Sequence, residues 1–239
     1  PRAHNHYPWG WAWAGNTPLK RFKRDTHEGG VADPLILHWP TRLGRPGETR
    51  HQYVHAVDLT PTLLDLIGVQ APSEIAGVPQ SAMHGVSFAH TLTDAAASSR
   101  HQTQYYEMLG SRALYHDGWK AVVFHPARTM AYDGTDVSKP FDEDVWELYH
   151  VAEDFSEVHD LAASHPEKLA ELKALWWREA EANQVLPLNN LPARFGDRRF
   201  RRDRYVFHAG IGKLPELVAP NLRNRGFTIA AHLQVPAEG

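Results

Sequence analysis

The sequence predicts an α/β chain that closes in an α+β C-terminal subdomain, a small four-stranded antiparallel sheet plus helix. Three observations carry that expectation. An apolar run, Leu35-Ile36-Leu37, bounded by Gly29-Gly30 and Pro40, precedes a stretch with helix signals at residues 58–69. Strand-like runs crowd together after residue 101, two of them separated by Asp117-Gly118. Leu169, Leu172 and Trp176 then recur at helical spacing in a segment that runs to Asn183.

At 239 residues and 42% hydrophobic, the chain is long enough to bury a sizeable core, as one large domain or one domain plus part of another. A net charge of -3, from 25 basic and 28 acidic residues, gives no overall pull toward nucleic acid or an anionic membrane. Any basic site is therefore local, and neither partner is expected. The absence of cysteine excludes disulfides, thiolate metal sites and a cysteine nucleophile within these residues. No window approaches the ~20 apolar residues of a membrane span. The first residues lack both a signal-peptide layout and an initiator methionine, so the numbering is expected to begin inside a longer chain.

The elements follow in order. Residues 1–18 read as an irregular Trp- and Pro-rich segment, with Trp9, Trp11 and Trp13 as packing rings. Lys20, Arg21, Lys23 and Arg24 then crowd ahead of Gly29-Gly30, and the plainest reading is a solvated basic loop feeding a strand. Val31 to Trp39 suits a strand buried on both faces. In DLTPTLLDLIGV, Thr60 is the expected cap and Pro61 the first helical residue. Leu63, Leu64 and Ile67 form the apolar stripe, with Gly68 just past the end. Residues 70–101 read as loop, with a short helical piece near Phe88 to Thr93.

QTQYYEML, RALYH, WKAVVF and VWELYHV give four strands, and Asp117-Gly118 supplies the positive φ angles of a two-residue hairpin turn. Ser164 with Glu167 predicts a capping box for the helix that closes the sheet. From Leu186 to Asn224 the chain reads as irregular, and Asp197 and Asp203 dilute the basic run DRRFRRDRY. GFTIAAHLQVP alternates as a half-buried strand does, with no partner before Gly239.

Sixteen histidines invite a search for metal spacing, but His4 with His6 and His51 with His55 have no carboxylate arranged as in known metal motifs. No G-x-S-x-G elbow and no G-x-x-x-x-G-K loop occurs.

What remains is Lys23-x-x-Thr26-x-Glu28-Gly29-Gly30, followed by Asp33-Pro34, the apolar run and Trp39-Pro40. This pattern resembles the sulfatase family of the alkaline-phosphatase-like superfamily. The resemblance continues through HAVDLTPTLLDLIGV, HGVSF, DGWKAV and WELYHVAEDFSEVHDLA, and covers most of residues 15–185. It has the order and spacing of the second half of a bacterial arylsulfatase.

The resemblance implies that residues 1–100 end the sulfatase catalytic α/β domain and 101–185 form its α+β subdomain. It leaves 186–225 as an Arg-rich linker and 226–239 as the first strand of a truncated β-sandwich. It also implies that Lys23 binds the sulfate group as a catalytic charge donor. Thr26, His27 and Glu28 line or brace the pocket, with His27 counted among the substrate-binding residues although it departs from the aromatic often found there. Gly29 and Gly30 allow close backbone approach. The family uses a formylglycine, made from cysteine or serine in a Cys/Ser-x-Pro-x-Arg signature, and a divalent metal such as Ca²⁺ held by Asp-Asp and Asp-Asn pairs. None of these signatures occurs here. The expectation is a C-terminal part of a sulfuric ester hydrolase acting on a sulfate-ester small molecule, inactive alone and binding neither group itself. Two alternatives stay open: a phosphonate monoester or phosphodiester hydrolase of the same superfamily, and a non-catalytic module that binds sulfated glycans.

Overall fold

The N-terminal segment expected to be irregular is helical from Trp9, and Trp9, Trp11 and Trp13, expected to be packing rings, are exposed. The computed structural model describes residues 7–43, 47–126, 138–190, 204–208, 210–214, 219, 220, 222 and 226–233, and it folds Trp9–Asn16 into helix α1. Alanines and glycines separate the rings, and the Ala12 amide closes the first turn onto the Pro8 carbonyl at 3.0 Å. A one-turn helix, α2, follows at Glu28–Val31. The predicted strand at Val31 to Trp39 does not form: Leu35, Ile36 and Leu37 are exposed and pair with no neighbour among the described residues. A strand buried on both faces needs a partner on each edge, and the described residues supply none there.

The next helix begins earlier than its proline suggests. Ala56–Asp58 makes a 3₁₀ turn that runs into α3, Leu59–Ile67. The cap is a reciprocal pair: the Asp58 carboxylate accepts from the His55 amide at 2.8 Å, and His55 Nδ1 accepts from the Val57 amide at 3.4 Å. Pro61 sits inside the first turn, where an N–H has no helical acceptor to lose. Thr60 is therefore not the cap. Gly68 closes the helix in the left-handed region, φ 70°, as predicted. The stretch read as loop contains a short hairpin, β1 at Glu74–Ile75 and β2 at Val78–Pro79, and a 3₁₀ turn at Ala89–Leu92 fulfils the predicted helical piece.

Four strands then form one antiparallel sheet in chain order: β3 Thr103–Met108, β4 Ser111–His116, β5 Trp119–Val123 and β6 Glu147–His150. The β4–β5 turn is Asp117-Gly118, φ 46° and 83°. Leu109 and Gly110 make a matching positive-φ turn between β3 and β4.

Register gives the sheet two chemical faces. Tyr105, Leu114, Ala121 and Leu148 lie opposite one another in a row. This row packs against helix α4, Pro166–Ala182, through Leu172, Trp176 and Ala180. The alternate positions, including Lys120, Glu147 and Tyr149, fall on the other face. The predicted Ser164 capping box is replaced by Pro166 at the first helical position. Ser164 Oγ instead donates to the Leu161 carbonyl at 3.1 Å.

The chain divides into two units, residues 1–191 and 192–239. Within the second, residues 226–233 are exposed and form no strand, because alternation fixes faces and supplies no pairing edge. The rest of that predicted strand, most of the basic run DRRFRRDRY and the pair His4 and His6 lie outside the described residues.

Candidate functional site

Residues 16–30 form a tight loop whose closure is encoded by an asparagine and two glycines. Asn16 Nδ2 donates to the Arg21 carbonyl at 2.7 Å and to the Gly29 carbonyl at 2.8 Å, while the Gly29 amide donates to the Lys20 carbonyl at 2.9 Å. A β-carbon on Gly29 would collide with the carbonyls of Lys20 and Arg21, and one on Gly30 with the carbonyl of Asp25. Both positions require glycine for this close backbone approach. Arg21 and Arg24 hold φ angles of 64° and 86°. Side chains at such angles cost about 1–2 kcal/mol each, so the surroundings must enforce them.

The enforcement comes from the sheet face opposite α4. Lys20 Nζ donates to Glu147 Oε2 at 2.7 Å and to the Tyr149 hydroxyl at 2.6 Å. The Tyr149 hydroxyl in turn donates to Glu147. The Arg21 guanidinium lies 3.8 Å from the centre of the Phe124 ring. His27 Nε2 lies 3.5 Å from the Glu147 carboxylate. Lys120, fully buried on β5, donates to Glu28 Oε1 at 2.6 Å and pairs with Glu157 at 3.1 Å. Glu157 also accepts from the Glu28 amide at 2.8 Å.

These contacts sort the four cations. Lys20 and Arg21 are committed to the sheet, and Arg24 is engaged as well. Lys23 is exposed and makes no hydrogen bond or ion pair among the described residues.

Charge in the cluster follows burial and partners. Burial pushes the His27 imidazole down to about 4, so it is neutral near pH 7, and its Nδ1 has no hydrogen-bond partner among the described residues. Burial works against a charge on Glu147 too, yet hydrogen bonds from His27, Lys20 and Tyr149 hold its carboxyl well below the usual carboxylate range. With His27 neutral, Lys20 is the cation that pairs with Glu147. Burial pushes Asp25 up to about 6, against the opposing pull of the Arg21 guanidinium.

The structure thus places the sequence-predicted residues in two settings. Lys23 faces solvent. Thr26 and His27 are buried, and Glu28, Gly29 and Gly30 are half-buried at the base of the loop. Lys23 and His27 are not brought onto one surface. Sequence reasoning missed Lys20, Lys120, Glu147, Tyr149 and Glu157 as parts of the site. The period-2 pattern of WKAVV and ELYH does put Lys120, Glu147 and Tyr149 on a face of their own, which was the available signal.

Among the described residues no group of three or more His, Cys, Asp or Glu could hold a metal ion. His55 is spent on the α3 cap. No helix among the described residues is long and apolar enough to cross a membrane.

The family described as N-sulphoglucosamine sulphohydrolase, C-terminal, matches residues 20–183. An uncharacterized sulfatase of Schizosaccharomyces pombe is 28% identical over 187 residues, covering 73% of this chain and 30% of that protein. Bovine arylsulfatase A is 30% identical over 176 residues, covering 65% of this chain and 33% of its own length. A sulfatase of Formosa agariphila is 27% identical over 156 residues, covering 63% and 26%. Among solved structures, that of Ps i-CgsB superposes with a TM-score of 0.52 at 22% identity, covering 74% of this chain and 35% of that one. The chain spans about a third of the length of these relatives.

Proposed function

The chain belongs to the N-sulphoglucosamine sulphohydrolase C-terminal family of sulfatases, and from that premise we propose that it supplies the sulfate-binding lysine, Lys23, to an arylsulfatase-type sulfuric ester hydrolase. The observation that carries this reading is the sorting of the loop. Of its four cations, Lys23 alone is left without a partner among the described residues, while Lys20 and Arg21 are anchored on the sheet.

The chemistry suits the residue. As the S–O bond of a sulfate ester breaks, negative charge shifts and the anionic oxygens need donors already in place. A lysine ammonium offers three donors and a compact charge. His27, neutral and buried, braces the loop, and Thr26, Glu28, Gly29 and Gly30 hold its base.

The family resemblance also implies a formylglycine and a divalent metal such as Ca²⁺. This chain's residues fit neither. It holds no cysteine and no Ser-x-Pro-x-Arg signature, and the described residues gather no metal-ligand cluster. No step assigned to Lys23 passes through either group. The isolated chain is accordingly expected to release no sulfate from an aryl sulfate, with or without added Ca²⁺ or Mg²⁺.

The deciding experiment compares Lys23→Ala with wild type in a full-length protein containing this chain, with an aryl sulfate as substrate. Loss of one preorganised charge donor is expected to lower kcat/KM by about 10²- to 10³-fold. A change within about twofold would return Lys23 to the role of a solvated loop cation, since it is far below what such a donor contributes.

A further inference from the structure

The geometry points to Glu147 as the residue that positions Lys23, an inference that rests on the sulfate-binding assignment of Lys23 above. Lys20 and His27 stand three residues before and four residues after Lys23. Both reach the same carboxylate, Lys20 Nζ at 2.7 Å and His27 Nε2 at 3.5 Å. Tyr149, two residues along the same strand face, donates its hydroxyl to that carboxylate. One acidic side chain on β6 therefore gathers both ends of the segment that carries Lys23, across 127 residues of sequence.

The segment needs this restraint because it is strained. Arg21 and Arg24, on either side of Lys23, hold left-handed backbone angles that side-chain-bearing residues leave when nothing holds them. The other ties fix the base and one flank: Asn16 and Gly29 close the loop, Lys120 and Glu157 grip Glu28, and Arg21 stacks on Phe124. Asn16 also spans Lys23, but it holds only the backbone carbonyls of Arg21 and Gly29, whereas Glu147 takes the side chains of Lys20 and His27 themselves. Glu147 does not touch the sulfate in this account; it raises the fraction of molecules in which Lys23 is correctly placed, and that fraction scales the apparent affinity directly.

The test is a double-mutant cycle in the full-length protein, with kcat/KM on an aryl sulfate as readout and cooperative thermal unfolding as the check on folding. Glu147→Gln and Lys20→Met are each expected to lower kcat/KM about tenfold, as when the competent fraction falls to a tenth. Lys20→Arg, which preserves the ion pair, is expected to restore most of that loss. In a Lys23→Ala background neither Glu147→Gln nor Lys20→Met lowers kcat/KM further, because there is no ammonium left to place.

A full loss from Glu147→Gln that persists in the Lys23→Ala background would overturn the inference, as would a folded Glu147→Gln protein with wild-type kcat/KM. Should neither variant fold, Tyr149→Phe removes one neutral donor while leaving the ion pair intact, and the same cycle with Lys23→Ala decides. If Lys23→Ala alone is silent, both this inference and the proposed function fall. If it is damaging but the cycle is additive, only the role of Glu147 falls.

Discussion

On the four-stranded sheet and α4, Leu114, Ala121, Leu148 and Trp176 expose no surface, whereas on α3 Leu63 and Ile67 leave 61% and 64% of theirs in solvent. Both regions carry the periodic apolar pattern that signals a core. They differ in where their partners are. The strand row Tyr105, Leu114, Ala121 and Leu148 meets α4 within 80 residues of chain. On α3 the one buried residue is polar, Thr62, and the carboxylate of Asp58 just ahead of the helix accepts from the Val86 amide. Periodicity thus reports that a face is apolar, and only the presence of a partner decides that it is buried.

The sharpest way to break this contrast is Trp176→Ala. Its ring is fully buried among Leu114, Leu148 and Leu172, its edge meets Trp146 at a centroid distance of 6.2 Å, and its Nε1 donates to the Tyr106 carbonyl at 3.1 Å. Truncation is expected to cost about 3–5 kcal/mol, from lost burial plus the cavity left behind. Urea denaturation of this chain measures it. A cost below about 1 kcal/mol, typical of an exposed position, would mean that the sheet and α4 are not the stable core.

How much of this was legible in the sequence depends on reach. Asp117-Gly118 and Gly68 announced their turns because the required φ angles are properties of single residues. The strands of the sheet were legible since each pairs with its sequence neighbour. The role proposed for Lys23 was legible only through a family pattern. The role proposed for Glu147 was not, because it comes from contacts with Lys20 and His27, more than 100 residues away, and no local rule links them. Val31 to Trp39 misled for the converse reason: Leu35-Ile36-Leu37 read as a strand despite Pro34, and no described segment pairs with it. Residues 9–16 form α1 where an irregular segment was expected, with Ala12 and Ala14 favouring the helix that Gly10 and Gly15 disfavour.

Proton linkage sharpens the comparison within the docked loop. The folded-state pKa of His27 falls from 6.5 to about 4, so between those values the unfolded chain binds a proton that the folded one refuses, and acidification favours unfolding. The pKa of Asp25 rises from 3.8 to about 6, so in that window the folded chain binds the proton first, and acidification favours folding. From about pH 6 to 4 the two slopes oppose and nearly cancel. Asp25→Asn removes one of them. Relative to wild type, its stability is expected to fall by about 1.4 kcal/mol for each unit of acidification across that window. Denaturation at pH 4, 5 and 6 reads the difference, in which groups common to both proteins drop out. Parallel pH profiles would show that Asp25 is not protonated on folding and that the loop is not docked as described.

The smallest effects are expected on α3, where they should run against the usual ranking of core residues. Thr62 Oγ1 donates to the Asp58 carbonyl at 2.6 Å and accepts from the Phe88 amide at 3.0 Å, both in buried surroundings. Thr62→Val keeps the shape and strands the Phe88 amide without a partner, an expected cost of about 1–3 kcal/mol. Leu63→Ala and Ile67→Ala remove far more apolar surface, but surface that water already covers, and alanine favours the helix. Each is expected to change stability by no more than about 0.5 kcal/mol. In this chain the polar neighbour therefore matters more than the two aliphatic ones. If Leu63→Ala cost as much as about 2 kcal/mol, as at a core position, α3 would be packed on its apolar side and the contrast with the sheet would vanish.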